Sequence, residues 1–173
     1  MDIQWQDTIQ INRPVEQVYA YLADFPRHVE WAQTLARMEQ IRPGNSRGEG
    51  AQYRTYEKQA MQTNREPGQK LTRGLPAVTL CTVDEVEPNH RIVWHAHSVP
   101  KMLHNSLVFE FAADGHGGTL LTQGMDFHIP AIPTLIFRLM FGPNLHQKAA
   151  AQAKAGLHNI KIIMERNGKL PNQ

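Results

Sequence analysis

The sequence contains a single cysteine, Cys81, among its 173 residues. No disulfide can therefore form within the chain, which excludes a disulfide-stabilised secreted scaffold and is typical of a reducing compartment. No apolar run approaches the ~20 residues that a membrane-spanning helix needs. Lys and Arg total 18 against 16 Asp and Glu, giving a net charge of +2. Because no basic block is present, the sequence predicts no nucleic-acid partner, and it predicts no membrane span.

Signals for targeting, internal repeats and cofactors are also missing. The first residues lack the basic and apolar segments of a secretory signal, so we expect a cytoplasmic protein. No repeat interrupts the sequence, and its length predicts a single ligand-binding domain over residues 1–173. The glycine-rich stretch 114–118 joins two strand patterns rather than starting a helix, which favours a hairpin turn over a phosphate cradle. No nucleophile elbow is present, and we expect no cofactor.

What is present begins with a strand that runs directly into a helix. Residues 3–11 alternate between apolar and polar side chains, which predicts a strand with one buried face. Asn12 is a suitable N-cap for the helix that follows, and Pro14 suits its first turn. The helix carries an apolar stripe that consists of Val15, Val18, Tyr19 and Leu22. A second short helix is predicted over residues 28–31.

Six further strand patterns and a long C-terminal helix follow. The strand patterns cover residues 35–41, 51–58, 78–87, 91–99, 106–113 and 119–129. A polar loop without an assigned role spans 60–75, and long loops in compact domains are often functional. After Gly142-Pro143, apolar residues recur at helical spacing from Leu145 to Met164, which predicts the final helix. An antiparallel sheet of seven strands with this helix packed across it is the economical arrangement.

Five local sequences stand out along the chain. They are Asn12-Arg-Pro-Val-Glu-Gln-Val18, Trp31, Val83-Asp-Glu-Val-Glu-Pro88, Gly118-Thr119, and Leu157-His-Asn-Ile-Lys161 with Glu165. Together they resemble the START-like (SRPBCC) superfamily, in particular its polyketide cyclase/dehydrase and lipid-transport branch. The resemblance implies an α+β helix-grip (Bet v 1-like) fold, in which a curved antiparallel seven-stranded sheet surrounds the long C-terminal helix. It also implies two short helices after strand 1 and an internal cavity, but it assigns no activity.

Strand periodicity predicts which side chains face the implied cavity. In each strand, the more apolar of the two alternating faces is assigned to the inside. The candidate pocket residues are Tyr53, Thr55, Trp94, Leu107, Phe109, Phe111, Gln123, Met125, Phe127, Leu135, Leu139 and Ala153. Apolar walls with sparse polar groups are typical of small-molecule sites, although each apolar residue taken alone is also typical of an ordinary core.

Three of these candidates, Gln123, Tyr53 and Thr55, supply the polar groups of the predicted pocket. An amide on an otherwise apolar face, such as that of Gln123, must find a partner. Tyr53, Thr55 and a buried water are the ordinary partners, and a ligand is the functional one. The final helix carries small residues that leave room either for close packing of the sheet or for a ligand. They are Ala149, Ala153 and Gly156.

Nine histidines raise the question of a metal site. His95 and His97 share one strand face, and His104 and His128 lie on neighbouring strand segments. Zinc and copper sites need three or four convergent ligands. The face assignment puts His95, His97 and His128 on the solvent side of the sheet, so we predict no metal site.

Residues 129–142 form the most apolar stretch of the chain, and Arg138 is its one charged residue. Burial against the sheet is the ordinary interpretation of such a stretch. A lid, a homodimer contact and a transient membrane contact are the alternatives.

Three functions follow from these patterns. The first is a binding module, a carrier or sensor that holds an apolar lipid-like or aromatic, polyketide-like molecule between the sheet and the C-terminal helix. The second is an enzyme resembling polyketide cyclases or dehydratases, with Tyr53 or Gln123 as the first candidates for its reacting groups. The third is a scaffold whose interior is filled by side chains and whose apolar segment binds a partner. An acid or base inside the cavity would distinguish the second from the first.

Overall fold

The structure is a computed structural model in which residues 2–58, 78–99, 104–128 and 145–166 are described. The strands are β1 (Asp2–Ile11), β2 (Leu35–Arg42), β3 (Gln52–Glu57), β4 (Val78–Glu87), β5 (Arg91–Val99), β6 (His104–Ala113) and β7 (Thr119–His128). The helices are α1 (Val15–Ala23), α2 (His28–Trp31) and α3 (Leu145–Arg166), and a 3-10 turn at Phe25–Arg27 joins α1 to α2. The predicted loop 60–75, the apolar stretch 129–142, and Leu135 and Leu139 within it lie outside the described residues.

The seven strands form one antiparallel sheet in the order β1-β7-β6-β5-β4-β3-β2. Every consecutive pair from β2 to β7 is adjacent, and β1 pairs with β7 at one edge. The predicted helix-grip fold, with its sheet, two short helices and long C-terminal helix, is therefore confirmed. No described helix has the length and apolar character needed to cross a membrane.

One face of the sheet, called the inner face below, carries the core and receives the helices. Ile11, Phe109 and Leu121 are completely buried on this face, and Leu157 and Ile160 of α3 join the same core. The alternation of β1 explains which of its residues join this core. Odd-numbered residues from Trp5 to Ile11 point inward, while even-numbered ones from Gln4 to Gln10 are exposed.

The start of α1 differs from the prediction. Pro14, rather than Asn12, occupies the N-cap position, and no side chain caps the helix. The backbone N–H of Asn12 donates to the Oε1 of Glu165 at 3.0 Å. The prediction was wrong because α1 begins only at Val15, so Asn12 lies two residues before the N-cap position.

The C-terminal end of α3 is fastened to the loop between β1 and α1. Arg13 donates from its Nε to the carbonyl oxygen of Met164 at 3.0 Å and from its Nη2 to that of Glu165 at 3.4 Å. The last carbonyl groups of a helix have no partners within the helix. The guanidinium of Arg13 therefore caps α3 and fixes it against the sheet.

Gly156 allows α3 to approach α2 rather than the sheet. A Cβ atom added at Gly156 would lie 3.3 Å from Cε3 and Cζ3 of Trp31. The amide of Asn159 on the same helix donates to the carbonyl oxygen of Trp31 at 3.1 Å. The space that the small residue leaves at this point is thus occupied by the indole of α2.

Candidate functional site

The inner face is closed at one end and partly open at the other. At the closed end, Ile11, Phe111 and Leu121 are buried under the helices. Toward the other end of the same strands lies a row of four directly paired side chains, which we call the inner row. It consists of Trp5 on β1, Met125 on β7, Leu107 on β6 and Trp94 on β5. All but Trp94 are only half-buried, so this row presents apolar surface inside the fold.

The structure places most predicted pocket residues on the inner face. Those that are buried are Tyr53, Thr55, Trp94, Phe109, Phe111 and Gln123. Those that are half-buried are Leu107, Met125, Phe127 and, on α3, Ala153. Leu135 and Leu139 fall outside the described residues. That these side chains surround one ligand stays a prediction.

A cluster of rings joins α2 to the middle of the sheet, with His28 at its centre. The ring of His28 lies 4.8 Å from Phe25, 5.0 Å from Trp31 and 5.6 Å from Trp94, measured between centroids. Phe109 lies 5.1 Å from Trp94 and 5.8 Å from Trp31. Offset and edge-on arrangements at such distances are favourable. The inner row thus borders a rigid aromatic wall.

His28 is held in its neutral form. Its side chain is 3% exposed, and burial lowers its pKa from 6.5 to about 4, against the opposing effect of a hydrogen bond to Leu22. That bond joins Nε2 to the carbonyl oxygen of Leu22 at 2.8 Å. Because a carbonyl only accepts, Nε2 carries the hydrogen and Nδ1 is the unprotonated nitrogen. Sequence reasoning missed this residue, although Phe25, His28 and Trp31 recur every third position, as one side of a tight helix requires.

Gln123 is a buried polar side chain on the inner face, between the inner row and the closed end. It is 3% exposed, and its Oε1 has no hydrogen-bond partner among the described residues. Of the protein partners proposed from the sequence, Thr55 donates instead to the carbonyl oxygen of Thr79, and the Tyr53 hydroxyl contacts Gln40. They also lie on β3, four strand spacings from β7, which is about 19 Å along the sheet.

Trp31, on α2, also carries a buried polar atom without a hydrogen-bond partner in the described ranges. Its side chain is 6% exposed, and its indole Nε1 has no hydrogen-bond partner within the described part of the chain. Gln123 is the direct cross-strand neighbour of Phe109, and the ring of Trp31 packs edge-on against the same phenylalanine. One buried acceptor and one buried donor therefore belong to two neighbours of Phe109.

A family model described as polyketide cyclase / dehydrase and lipid transport matches residues 2–165 of the sequence. The chain belongs to this family. The membership confirms the branch that the local sequences suggested. No curated protein matches the sequence.

Solved structures of low sequence identity share the fold of this polyketide cyclase/dehydrase and lipid-transport family member. The Zhui aromatase/cyclase from Streptomyces sp. R1128 is 15% identical with a TM-score of 0.70, and the match covers 96% of each chain. A START superfamily protein from Mycobacterium smegmatis is 15% identical with a TM-score of 0.63, covering 95% of this chain and 96% of that one. Ara h 8.0201 is 14% identical with a TM-score of 0.64, covering 96% and 100%.

In this family member Tyr21 of α1 contacts an ion pair between Arg27 and Glu30, which links α2, and with it His28 and Trp31, to α1. Glu30 accepts two hydrogen bonds from Arg27, at 2.9 and 3.2 Å, and one from the Tyr21 hydroxyl at 3.1 Å. The guanidinium also lies 4.5 Å over the Tyr21 ring. Burial, followed by the charge of Glu30, raises the pKa of Tyr21. Tyr21 is buried, although the predicted stripe contained Tyr19 instead.

An acidic residue also reaches the inner face of this family member. Asp7 is half-buried between Trp5 and Ile9 and pairs directly with Gln123 across β1 and β7. Its Oδ1 accepts a hydrogen bond from the backbone N–H of Thr8 at 2.9 Å. Alternation along β1 could have located it, because Asp7 has the same parity as the apolar residues on either side.

The histidines considered for a metal site lie on the outer face. His95 bonds through Nδ1 to Asp84 at 2.8 Å, and the rings of His97 and His104 are 6.1 Å apart between centroids. Across the described residues, no group of three or more His, Cys, Asp or Glu side chains is placed to hold a metal ion.

A groove of about 430 Å³ runs along β1, β7, β6 and β5. Polar and charged residues at outward-facing positions, including Gln4, Ser106, Thr122 and Asp126, make up most of its lining, and Trp5 and Met125 of the inner row also contribute. Such a lining differs from the apolar walls typical of small-molecule sites. The inner face, with its apolar row and its unpaired buried atoms, is therefore the better candidate site.

Proposed function

We propose that the protein binds an apolar, ring-containing small molecule on the inner face, beside the inner row, and acts as its carrier or sensor. The observation that supports this most directly is the inner row itself. Four strands contribute an apolar side chain at the same level, and Trp5, Leu107 and Met125 remain only half-buried. Leaving apolar surface in contact with water is unfavourable. A ligand that covers such surface gains about 25 cal/mol of binding free energy per Å².

The surroundings of the inner row fit an aromatic molecule. Trp94 belongs to the inner row, and Phe109 and Trp31 pack behind it, so the position of its ring is fixed by mutual packing. Rigid aromatic walls bind flat ligands without a large ordering cost. The family description, which includes lipid transport, also supports a carrier of an apolar molecule.

The test is to purify the protein gently, extract it with organic solvent, and identify any stoichiometric compound by mass spectrometry. The informative variant is Leu107→Asn, which makes the inner row polar at a half-buried position. Its matched control is Val108→Asn, one residue along β6 on the outer face and also half-buried. We expect the compound to be lost from Leu107→Asn alone. Retention of the compound at the same stoichiometry in a folded Leu107→Asn protein would overturn the proposal.

A second candidate function is a polyketide cyclase/dehydratase-like enzyme acting on the same face. Asp7 favours it, because this residue lies directly across from Gln123 in the sheet and brings a carboxylate, a group suited to proton transfer, to the inner face. Tyr53, whose pKa is raised by burial and by Asp24, and Gln123 are the other candidate groups. The test follows loss of water from an aromatic polyketone by mass spectrometry. Turnover that Asp7→Asn abolishes and Asp84→Asn preserves supports the enzyme, and no turnover by the unmodified protein overturns it.

A further inference from the structure

Gly124 lies in the interior of β7 and lines the groove on the outer face of the sheet, which we call the outer groove. Glycine weakens the interior of a strand, because it has no side chain to pack and loses much conformational freedom on folding. It is expected there at a bulge, in a backbone conformation closed to other residues, or where another molecule approaches the backbone closely.

Neither the backbone nor the packing of the chain explains this glycine. β7 pairs with β1 and with β6 in continuous register through Gly124, so no bulge is present there. Gly124 is not among the described glycines with a positive φ. A Cβ atom added to it would meet only the Cβ of Val108 within 4 Å, at 3.8 Å, which is an ordinary contact. A side chain would therefore fit, and its absence deepens the outer groove.

The outward-facing residues that line the outer groove form three cross-strand rows, with Gly124 in the middle one. The middle row consists of Gln6, Gly124 and Val108. The rows on either side are Gln4, Asp126 and Ser106, and Thr122, Glu110 and Arg91. Successive rows are about 7 Å apart along the strands, and neighbouring strands are about 5 Å apart. Gly124 and Val108 thus form an apolar floor between two polar rims.

A partner that contacts this floor must approach it face-on. β7 lies between β1 and β6, so its backbone N–H and C=O groups bond to those two strands. An added peptide strand needs the unpaired backbone groups of a sheet edge, which this position does not offer. The partner therefore meets Gly124 and Val108 with an apolar surface of its own.

The rims favour a partner with several hydroxyl groups. The amides of Gln4 and Gln6 and the hydroxyl of Ser106 both donate and accept hydrogen bonds, and the carboxylate of Asp126 accepts them. Because a hydroxyl group also donates and accepts, it can pair with each of these groups.

The charges of the lining disfavour an anion. Arg91 is the one basic residue of the described lining, and it is already contacted by Glu110 at 3.2 Å and by Glu85 at 3.5 Å. Asp126 and Glu110 would repel an anionic partner.

We propose that the outer groove is a second binding site and takes a neutral pyranose saccharide with equatorial hydroxyl groups. Such a ring has C–H groups on its faces and hydroxyl groups around its circumference, which matches an apolar floor between polar rims. The volume of about 430 Å³ lies within the range of roughly 300 to 1,000 Å³ that is typical of ligand sites. This site is independent of the function proposed for the inner face.

The experiment titrates the isotope-labelled protein at pH 7 with glucose, all of whose ring hydroxyl groups are equatorial, and follows the amide signals by NMR. We expect shifts of the Gly124 backbone signal and of the Gln4 and Gln6 side-chain signals, with a dissociation constant of about 1 to 10 mM. The indole N–H signal of Trp94, on the inner face, should not move. Glucose 6-phosphate, which is anionic, and cyclohexanol, which has one hydroxyl group, should each bind about tenfold more weakly.

Two variants and a control locate the site. Gly124→Val fills the floor of the groove and should abolish the shifts, and it should fold because the added Cβ has room and valine suits a strand. Ala112→Val adds similar bulk at an exposed position of β6 outside the groove and should leave binding unchanged. Ser106→Ala should weaken binding about three- to tenfold, the effect of one hydrogen bond. If Gly124→Val does not fold, Ser106→Ala decides.

Three results would overturn the proposal and leave the function of the inner face untouched. The first is the absence of shifts with glucose, or unchanged affinity in Gly124→Val or Ser106→Ala. The second is equal affinity for glucose and cyclohexanol, since hydroxyl groups would then not select the ligand. The third is an unmodified protein that light scattering shows to be a dimer and that Gly124→Val converts to a monomer, because a second copy would then cover the groove.

Discussion

His28 donates from Nε2 to the carbonyl oxygen of Leu22, 2.8 Å away, and so links α2 to the last turn of α1. The bond gives a partner to a carbonyl near the end of a helix, where partners within the helix are lacking. It also orients the imidazole among Phe25, Trp31 and Trp94. The position of the ring wall therefore depends on one buried, neutral imidazole.

We predict that the protein loses stability as the pH falls from about 6.5 to about 4. The unfolded chain takes up a proton on this histidine near its ordinary pKa of 6.5, whereas the folded protein resists until about pH 4. The free energy of unfolding should fall by about 3 kcal/mol across this window, with no loss from this group above it. Urea denaturation at a series of pH values measures the slope. His28→Gln should flatten it, while exposed His90→Gln should not. An unchanged slope in His28→Gln would contradict the assignment.

Gln123→Met should stabilise the ligand-free protein by about 1 kcal/mol. The substitution nearly preserves side-chain volume and removes an acceptor that is buried without a partner. Chemical denaturation of the extracted protein measures the change, and Gln33→Met should leave stability within error. A marked destabilisation by Gln123→Met would mean that the amide is already satisfied in the folded protein.

Gly156→Leu should destabilise the protein by about 2 kcal/mol. At an unobstructed helical position this change would be stabilising, because glycine is a poor helix former. Here the new side chain meets the indole of Trp31, only 3.3 Å from the Cβ position, and overpacking follows. Ala151→Leu on the exposed side of α3 is the control. A thermal melt in which Gly156→Leu unfolds at or above the temperature of the unmodified protein would disprove the close contact.

Arg13→Ala should loosen the end of α3. Two carbonyl oxygens, those of Met164 and Glu165, lose their donor, at a cost of about 1 kcal/mol. Hydrogen exchange should show faster exchange in residues 160–166 before any change in the sheet. Arg42→Ala, at an exposed position, should leave the pattern as it is. Uniformly faster exchange throughout the protein would instead mean that Arg13 supports the whole fold rather than this helix end.

Much of the fold could be predicted because the local patterns are unambiguous. Strand alternation in β6 and β7 put Phe109, Phe111 and Leu121 on one face, and the structure buries them there. The apolar spacing from Leu145 to Met164 marked α3 correctly. A period of two or of 3.6 residues is a property of neighbouring positions, so it can be read without knowledge of the tertiary structure.

The candidate site was harder to predict because it depends on pairs of residues far apart in sequence. Tyr53 and Thr55 were reasonable partners for Gln123 by chemistry, but the strand order separates β3 from β7. Asp7 acquires significance only through its register with Gln123. The unpaired Nε1 of Trp31 is likewise a property of the tertiary structure, which no local pattern contains.

The fastening of Arg13 and Asn12 to the end of α3 has a consequence for how the chain reaches its native state. These hydrogen bonds join residues 151 to 153 positions apart, and β1 has β7 as its one neighbour in the sheet. Contacts of such high sequence separation slow folding, since the loop between them must close first. During synthesis on the ribosome, β1 emerges before every other strand of the sheet. It must then wait, unpaired, until almost the whole domain has followed, so the first strand made is among the last to be secured.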